Sequence, residues 1–253
     1  MKDVFIVMAM SRSGHHAVMN WICNQYGQGI RFHNNCVKGW DENKLIARSG
    51  KIIDYHSSVG NSSHMYSFED FDMDDFSFIK NSEPFQNADR RFCIIVVRDL
   101  YNLVASCLKA YEKTCIKYTS GIVNERGVKK ENNVALWCKQ VKECLRETKI
   151  VDESVFVDIN YNTWFENKDY RKGMCNKLDL KFTDDGLNYV PKFGNASSFD
   201  KQSKQGNAQD MNVTERYKSF VNNSKFIEII NQKKEEVIRL NNKYFNMEWV
   251  LSE

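Results

Sequence analysis

The chain has 253 residues, 42% hydrophobic and 27% charged, with 36 basic against 33 acidic side chains and a formal net charge of +3. That composition excludes wholesale disorder and a collagen-like repeat, and so mild a charge makes no case for a nucleic-acid partner. The longest uninterrupted apolar run, Val4 to Met10, is far short of the roughly 20 residues that span a bilayer, so no membrane insertion is expected.

At roughly 150 residues per domain as a soft prior, one α/β domain over residues 1–253 is the economical reading. Val4-Phe5-Ile6-Val7-Met8 reads as a strand buried on both faces, followed by a polar turn at residues 11–14. A helix follows from His15 to about Tyr26, with Val18, Trp21, Ile22 and Gln25 at helical spacing. Further strands are expected at residues 30–33, 51–55, 65–68, 92–97 and 154–158, of which 92–97 is the strongest. Helical periodicity marks residues 100–111, 134–148, 163–178 and 219–244, the last packing on the sheet or against a second copy. Residues 69–87 and 184–213 read as irregular. Strands alternating with helices imply a three-layer α/β fold, a central mostly parallel sheet flanked by helices. The eight cysteines include no C-x-x-C pair, and no secretory leader is expected, because no small-residue cleavage site follows the Val4 to Met10 run. They read as buried thiols in a reducing, cytoplasmic setting.

A buried strand running through a Ser/Gly turn into a helix aims backbone N–H groups and the positive helix end at one point, which suits an oxyanion. In Ser11-Arg12-Ser13-Gly14-His15-His16, Arg12 adds a permanent charge, Ser13 a hydroxyl and Gly14 room for close approach. The Walker pattern fails here. Ala9 replaces its first Gly, His15 its Lys, and His16 its Mg²⁺-binding hydroxyl. ATP chemistry loses its metal ligand while anion binding survives. A metal site on His15 and His16 is not expected either, because adjacent helical residues diverge by about 100° and no companion ligand is spaced nearby.

The strongest strand ends in Val97-Arg98-Asp99, and Ser106 follows Arg98 by eight residues, roughly two helical turns. Arg98 at a strand's carboxyl end, with a hydroxyl on the next helix, makes a clamp for a second phosphate. An Arg98–Asp99 surface pair is the bland alternative.

Together, residues 7–16 and 95–99 with Ser106 resemble the 5′-phosphosulfate loop and the 3′-phosphate strand and helix of the PAPS-dependent sulfotransferases. Residues 156–161, the loop Gly194-Asn195-Ala196-Ser197-Ser198-Phe199 and Glu215-Arg216-Tyr217 resemble later segments of that family more loosely. The resemblance implies a P-loop NTPase-like sulfotransferase fold. It also implies an enzyme that moves a sulfuryl group, without a metal, from 3′-phosphoadenosine 5′-phosphosulfate (PAPS) to a hydroxyl or amine of a small-molecule or glycan acceptor. Arg12, Ser13, Gly14, His15, His16 and Ala17 would hold the 5′ end, with Arg12 and His16 stabilising the leaving group. Arg98 and Ser106 would hold the 3′-phosphate, with Lys201 and Lys204 closing over it and Ser198 in the same cofactor site, and Phe199 or another loop aromatic would stack on the adenine in place of the aromatic residue that Ala17 replaces. His56 is the first candidate for the base, Glu69 the second and His33 the third. The aromatic stretch at 66–78, with Trp40, Tyr111 and Tyr118, lines an acceptor pocket or packs on itself. A phosphonucleotide-binding module without catalysis and a degenerate P-loop kinase remain the alternatives, and the chain is expected as monomer or homodimer.

Overall fold

A computed structural model describes residues 3–38, 45–47, 52–55, 63–110, 132–190, 197, 199–201 and 203–251. Its strands are β1 (Asp3–Ala9), β2 (Ile30–His33), β3 (Cys36–Lys38), β4 (Leu45–Ala47), β5 (Ile52–Tyr55), β6 (Ser63–Glu69), β7 (Arg90–Val97) and β8 (Phe156–Asn160). Six of them form one sheet in the order β5-β2-β6-β1-β7-β8. All neighbours in it run parallel except β5, which is antiparallel to β2 at the edge. The strands β3 and β4 form a separate antiparallel pair that the sequence pattern did not reveal.

Every residue of β1 is buried, and its side chains alternate between two cores. Val4, Ile6 and Met8 join Phe68, Ile95, Leu103, Trp137, Phe226 and Leu240 on one face of the sheet. Phe5, Val7 and Ala9 join Val18, Trp21, Ile22, Ile94, Ile159 and Trp164 on the other. From Val4 to Ala9 the strand is apolar at every position, as a helix-covered parallel sheet requires. The helices are α1 (His15–Tyr26), α2 (Phe76–Lys80), α3 (Glu83–Gln86), α4 (Leu100–Ala110), α5 (Asn133–Cys144), α6 (Tyr161–Glu166), α7 (Lys168–Lys177), α8 (Ser224–Ile230) and α9 (Lys234–Phe245). Helices α1, α6 and α7 cover one face, and α4, α5, α8 and α9 the other. The three-layer α/β expectation holds.

Local differences have local causes. The segment expected at 163–178 breaks at Asn167, which ends α6 and caps α7 by accepting from the Tyr170 amide. The segment at 219–244 breaks at Lys233, held at φ 53°. Residues 69–87 hold a 3₁₀ turn, α2 and α3, and their rings Phe68, Phe71 and Phe78 pack edge-on against one another. The described part of that stretch therefore packs on itself. All seven described cysteines are buried free thiols. Among the described residues, no helix is long and apolar enough to cross a membrane.

Topology places the site. The chain leaves β1 for β2 on one side, comes back to β6, and crosses to β7 on the other side. Ligands of open α/β sheets sit at such a switch point, outside the carboxyl ends of the strands. Register brings those ends level: Ala9 pairs with Glu69 and Val96, and Val97 with Asn160.

The turn leading to β8 hangs on Glu143, whose side chain is fully buried. It accepts from Arg146 at 2.6 Å, from the amides of Ile150 and Val151 at 2.8 and 3.1 Å, and from the Thr148 hydroxyl. Glu143→Ala strands the buried Val151 amide and frees three part-buried donors, and is expected to cost about 2 kcal/mol, with Glu143→Gln costing less. Urea unfolding of the two variants checks this order.

Candidate functional site

A cavity of about 190 Å³ opens at the carboxyl ends of β6, β1, β7 and β8. Ser11, Arg12, Gly14, His15, His16, Ala17, Glu69, Arg98 and Ser106 line it, joined by Tyr161, Trp164, Phe165, Leu187, Tyr189, Val190, Ser197, Ala208, Met211, Val213 and Arg216. Both arginines named from the sequence therefore face one space.

The first turn is built by its backbone. Arg12 takes φ 71° and Gly14 φ 88°, and the Ser13 amide closes the turn on the Met10 carbonyl at 3.1 Å. Asp70 ties the turn to β6: its carboxylate accepts from the Ser11 amide at 2.9 Å, and its own amide donates to the Ala9 carbonyl at 2.9 Å. Gly14 has to be glycine, because a Cβ there would lie 2.3 Å from the Tyr161 ring. The Ala17 amide donates to the Gly14 carbonyl at 2.9 Å, closing the first turn of α1. The His15 and His16 amides precede it at the helix start, where no earlier turn offers acceptors. Ser13 is fully buried, and its hydroxyl lies 3.3 Å from His15 Nδ1. Its hydroxyl orients the imidazole, whereas the sequence reading gave it to the anion.

Glu69 joins the two histidines. His15 Nε2 and His16 Nε2 lie 3.1 and 3.3 Å from its Oε1, and the two rings sit 4.2 Å apart at 36°. The sequence spacing offered the histidines no companion. The parallel pairing of Ala9 with Glu69 supplies one. Burial, followed by repulsion from His15, pushes the His16 imidazole down to about 4. Burial pushes the Glu69 carboxyl up, but the two imidazoles outweigh it and hold the group well below the ordinary carboxylate range.

Arg98 is buried rather than part of a surface pair. Its Nη1 donates to Ser106 Oγ at 3.1 Å, another amino group donates to the Val213 carbonyl, and the guanidinium lies 5.3 Å from the centre of the Tyr161 ring. Its Nε is buried without a hydrogen-bond partner. Burial lowers its pKa. Asp99, also buried, instead caps α4 through the Asn102 amide at 2.8 Å. Asn102 in turn holds the following strap, donating to the Thr214 carbonyl and accepting from the Tyr217 amide.

That strap carries Arg216, a site residue to which the sequence reading gave no role. It donates to Asp200 Oδ2 at 2.9 Å and Ser197 Oγ at 3.1 Å, and burial, followed by the charge of Arg98, brings its pKa down to about 10. Tyr161 and Trp164 were missed as well. Tyr161 follows β8 as Arg98 follows β7, so a strand-end rule applied twice would have found it.

Other expected residues lie elsewhere. Phe199 packs against Phe220, Lys109 and Arg216, off the cavity wall, because its loop folds back through a Ser197–Lys201 bridge. Lys201 is exposed in that loop and does not line the cavity. His33 stacks on Tyr66 and His64, away from the site. His56 and Ser198, like Trp40, Tyr111 and Tyr118, fall outside the described residues.

The lining of the cavity is mixed. Arg12, His16 and Glu69 bring polar groups to it beside the helix start, and Trp164, Phe165, Leu187, Val190 and Met211 bring apolar surface. Such a space suits a flat apolar ring carrying anionic groups.

Among solved structures the chain is similar to the sulfotransferase domain of the olefin synthase of Synechococcus PCC 7002. That likeness has 11% identity and a TM-score of 0.55, covering 98% of this chain and 96% of that one. A mouse sulfotransferase, SULT7A1, complexed with PAP aligns over 98% of this chain and 90% of its own at 10% identity and a TM-score of 0.45. No family model matches the sequence, and no curated protein does. The likeness to the olefin synthase domain identifies the fold as that of the sulfotransferases.

The depressed His16 pKa has a consequence for stability. Between about 4 and 6.5 the unfolded chain binds a proton at this position that the folded chain refuses, so stability falls as pH drops through that window. His16→Gln is expected to flatten the loss, measured as urea midpoints from pH 7 to pH 4.

Proposed function

With the sulfotransferase fold as premise, we propose that the chain transfers a sulfuryl group from PAPS to a hydroxyl or amine of a small-molecule or glycan acceptor. The observation that carries the reading is Arg98, a cavity-lining guanidinium with a buried Nε that no protein group satisfies. A buried donor on a permanent cation is costly unless an anion arrives to take it. Ser106 and Arg98 would read the 3′-phosphate. Arg12 and the His15 and His16 amides would hold the 5′-phosphosulfate about the helix start. The apolar surface around Trp164 would take the adenine in place of Phe199.

In the transfer, the bond from sulfur to the bridging phosphate oxygen breaks while a new bond forms to the acceptor oxygen or nitrogen. Adenosine 3′,5′-bisphosphate leaves, and the acceptor proton passes to a base. Charge that builds on the bridging oxygen meets Arg12 and the helix start, preorganised by the turn, so no metal is required for that step. Glu69 is the base we favour. It lines the cavity beside His15 and His16 and is ionised at working pH, whereas His33 lies elsewhere. A carboxylate this weakly basic takes the proton only as bond formation makes the acceptor acidic.

Labelled PAPS supplied with a panel of phenol, sugar and amine acceptors tests the reading. Sulfated product is expected, with Glu69→Gln lowering turnover at least about a hundredfold while adenosine 3′,5′-bisphosphate binding stays within about twofold. Full turnover in Glu69→Gln would remove it as the base, and no product with any acceptor would contradict the enzyme reading.

A further inference from the structure

The His15–His16–Glu69 group can do something that sulfuryl transfer does not require. Its three ligand atoms lie within 4.8 Å of one another, with both imidazole Nε2 atoms 3.1 to 3.3 Å from Glu69 Oε1. Zinc bonds of about 2.0–2.2 Å at the tetrahedral angle set neighbouring ligand atoms about 3.3 Å apart. Two imidazoles with one carboxylate also make a donor set that leaves a fourth position open.

Distance alone would equally suit two hydrogen bonds, and the state of His15 Nε2 separates the two cases. His15 Nε2 is buried without a hydrogen-bond partner, although Glu69 Oε1 lies 3.1 Å away. The side chain is only 3% exposed, which leaves bulk water no access to that nitrogen. An orphaned buried ring nitrogen costs free energy unless a further group takes it. The opposite nitrogen is already provided for. Ser13 Oγ lies 3.3 Å from His15 Nδ1, and a hydroxyl can accept from Nδ1–H as readily as donate to it. With Nδ1 protonated, Nε2 presents its lone pair, the outer-sphere arrangement that orients a metal-bound histidine.

We infer that His15 Nε2, His16 Nε2 and the Glu69 carboxylate bind a divalent transition-metal ion of the zinc class, with its open position facing the cavity. The helix start and Arg12 place positive charge beside this point, with one carboxylate to offset it. A hard, hydrated cation such as Mg²⁺ is therefore disfavoured, and an ion that bonds strongly to nitrogen is selected. The site stands on three side chains whatever the reaction is. Only if Glu69 is the base does a further consequence follow, that bound metal opposes turnover.

Co²⁺ titration of the chelator-treated full chain tests the site without reference to activity. One equivalent should produce the visible bands of a four-coordinate centre, with no near-ultraviolet thiolate-to-cobalt band from the cysteines. His16→Ala and Glu69→Gln should each weaken Co²⁺ binding at least about tenfold, with near-ultraviolet circular dichroism unchanged. No visible band from the wild-type chain, a thiolate band, or equal affinity in both variants would overturn the inference.

Discussion

Three guanidiniums, those of Arg12, Arg98 and Arg216, line one cavity, and much of the surrounding structure answers the cost of keeping them there. Arg98 and Arg216 are 2% and 8% exposed. Charges so placed lose hydration, and these also repel one another: burial lowers both pKa values, and Arg98 adds to the lowering of Arg216. Asp200 faces Arg216 at 2.9 Å and Glu69 sits beside the histidines, while Arg98 is held by a hydroxyl, a carbonyl and the face of a tyrosine ring. Neutral dipoles orient a guanidinium without cancelling its charge. The cavity therefore stays poised for an anion.

Packing keeps the arrangement from collapsing. Gly14 lets the first turn press against Tyr161, and Tyr161 lies beneath Arg98, so the two anion-facing points are braced against the same ring. Trp137 donates to the Arg98 carbonyl at 2.8 Å and fixes its backbone from the opposite core. Asn102 performs the same service for the strap that carries Arg216. These contacts join groups far apart in sequence, and the level strand ends make them geometrically available.

What could be read in the sequence was whatever the chain encodes locally. Val4 to Met10 announces a central strand by being apolar at every position, and Ser11 to His16 announces an anion turn by its residue types. Arg98 and Ser106 are eight residues apart on one strand–helix junction, so their meeting needs no knowledge of the rest of the fold. Glu69 beside His15 and His16 depends on the pairing of β1 with β6, which no local pattern states. Arg216 depends on a long strap being pinned to α4, and the split at Lys233 on one left-handed residue inside an otherwise periodic helix. Phe199 misled because an aromatic residue in a loop carries no signal of which way the loop folds; here it turns to Arg216 and Phe220.

The proposal that one nucleotide bridges the Arg12 turn and the Arg98 clamp is tested most directly by calorimetric titration of the wild-type chain and Arg98→Ala with adenosine 3′,5′-bisphosphate and with ADP. The wild-type chain should bind the 3′,5′-bisphosphate more tightly, and Arg98→Ala should weaken that ligand at least about tenfold while leaving ADP nearly unchanged. Equal affinity of the wild-type chain for both nucleotides, or an equal loss of both in the variant, would contradict it.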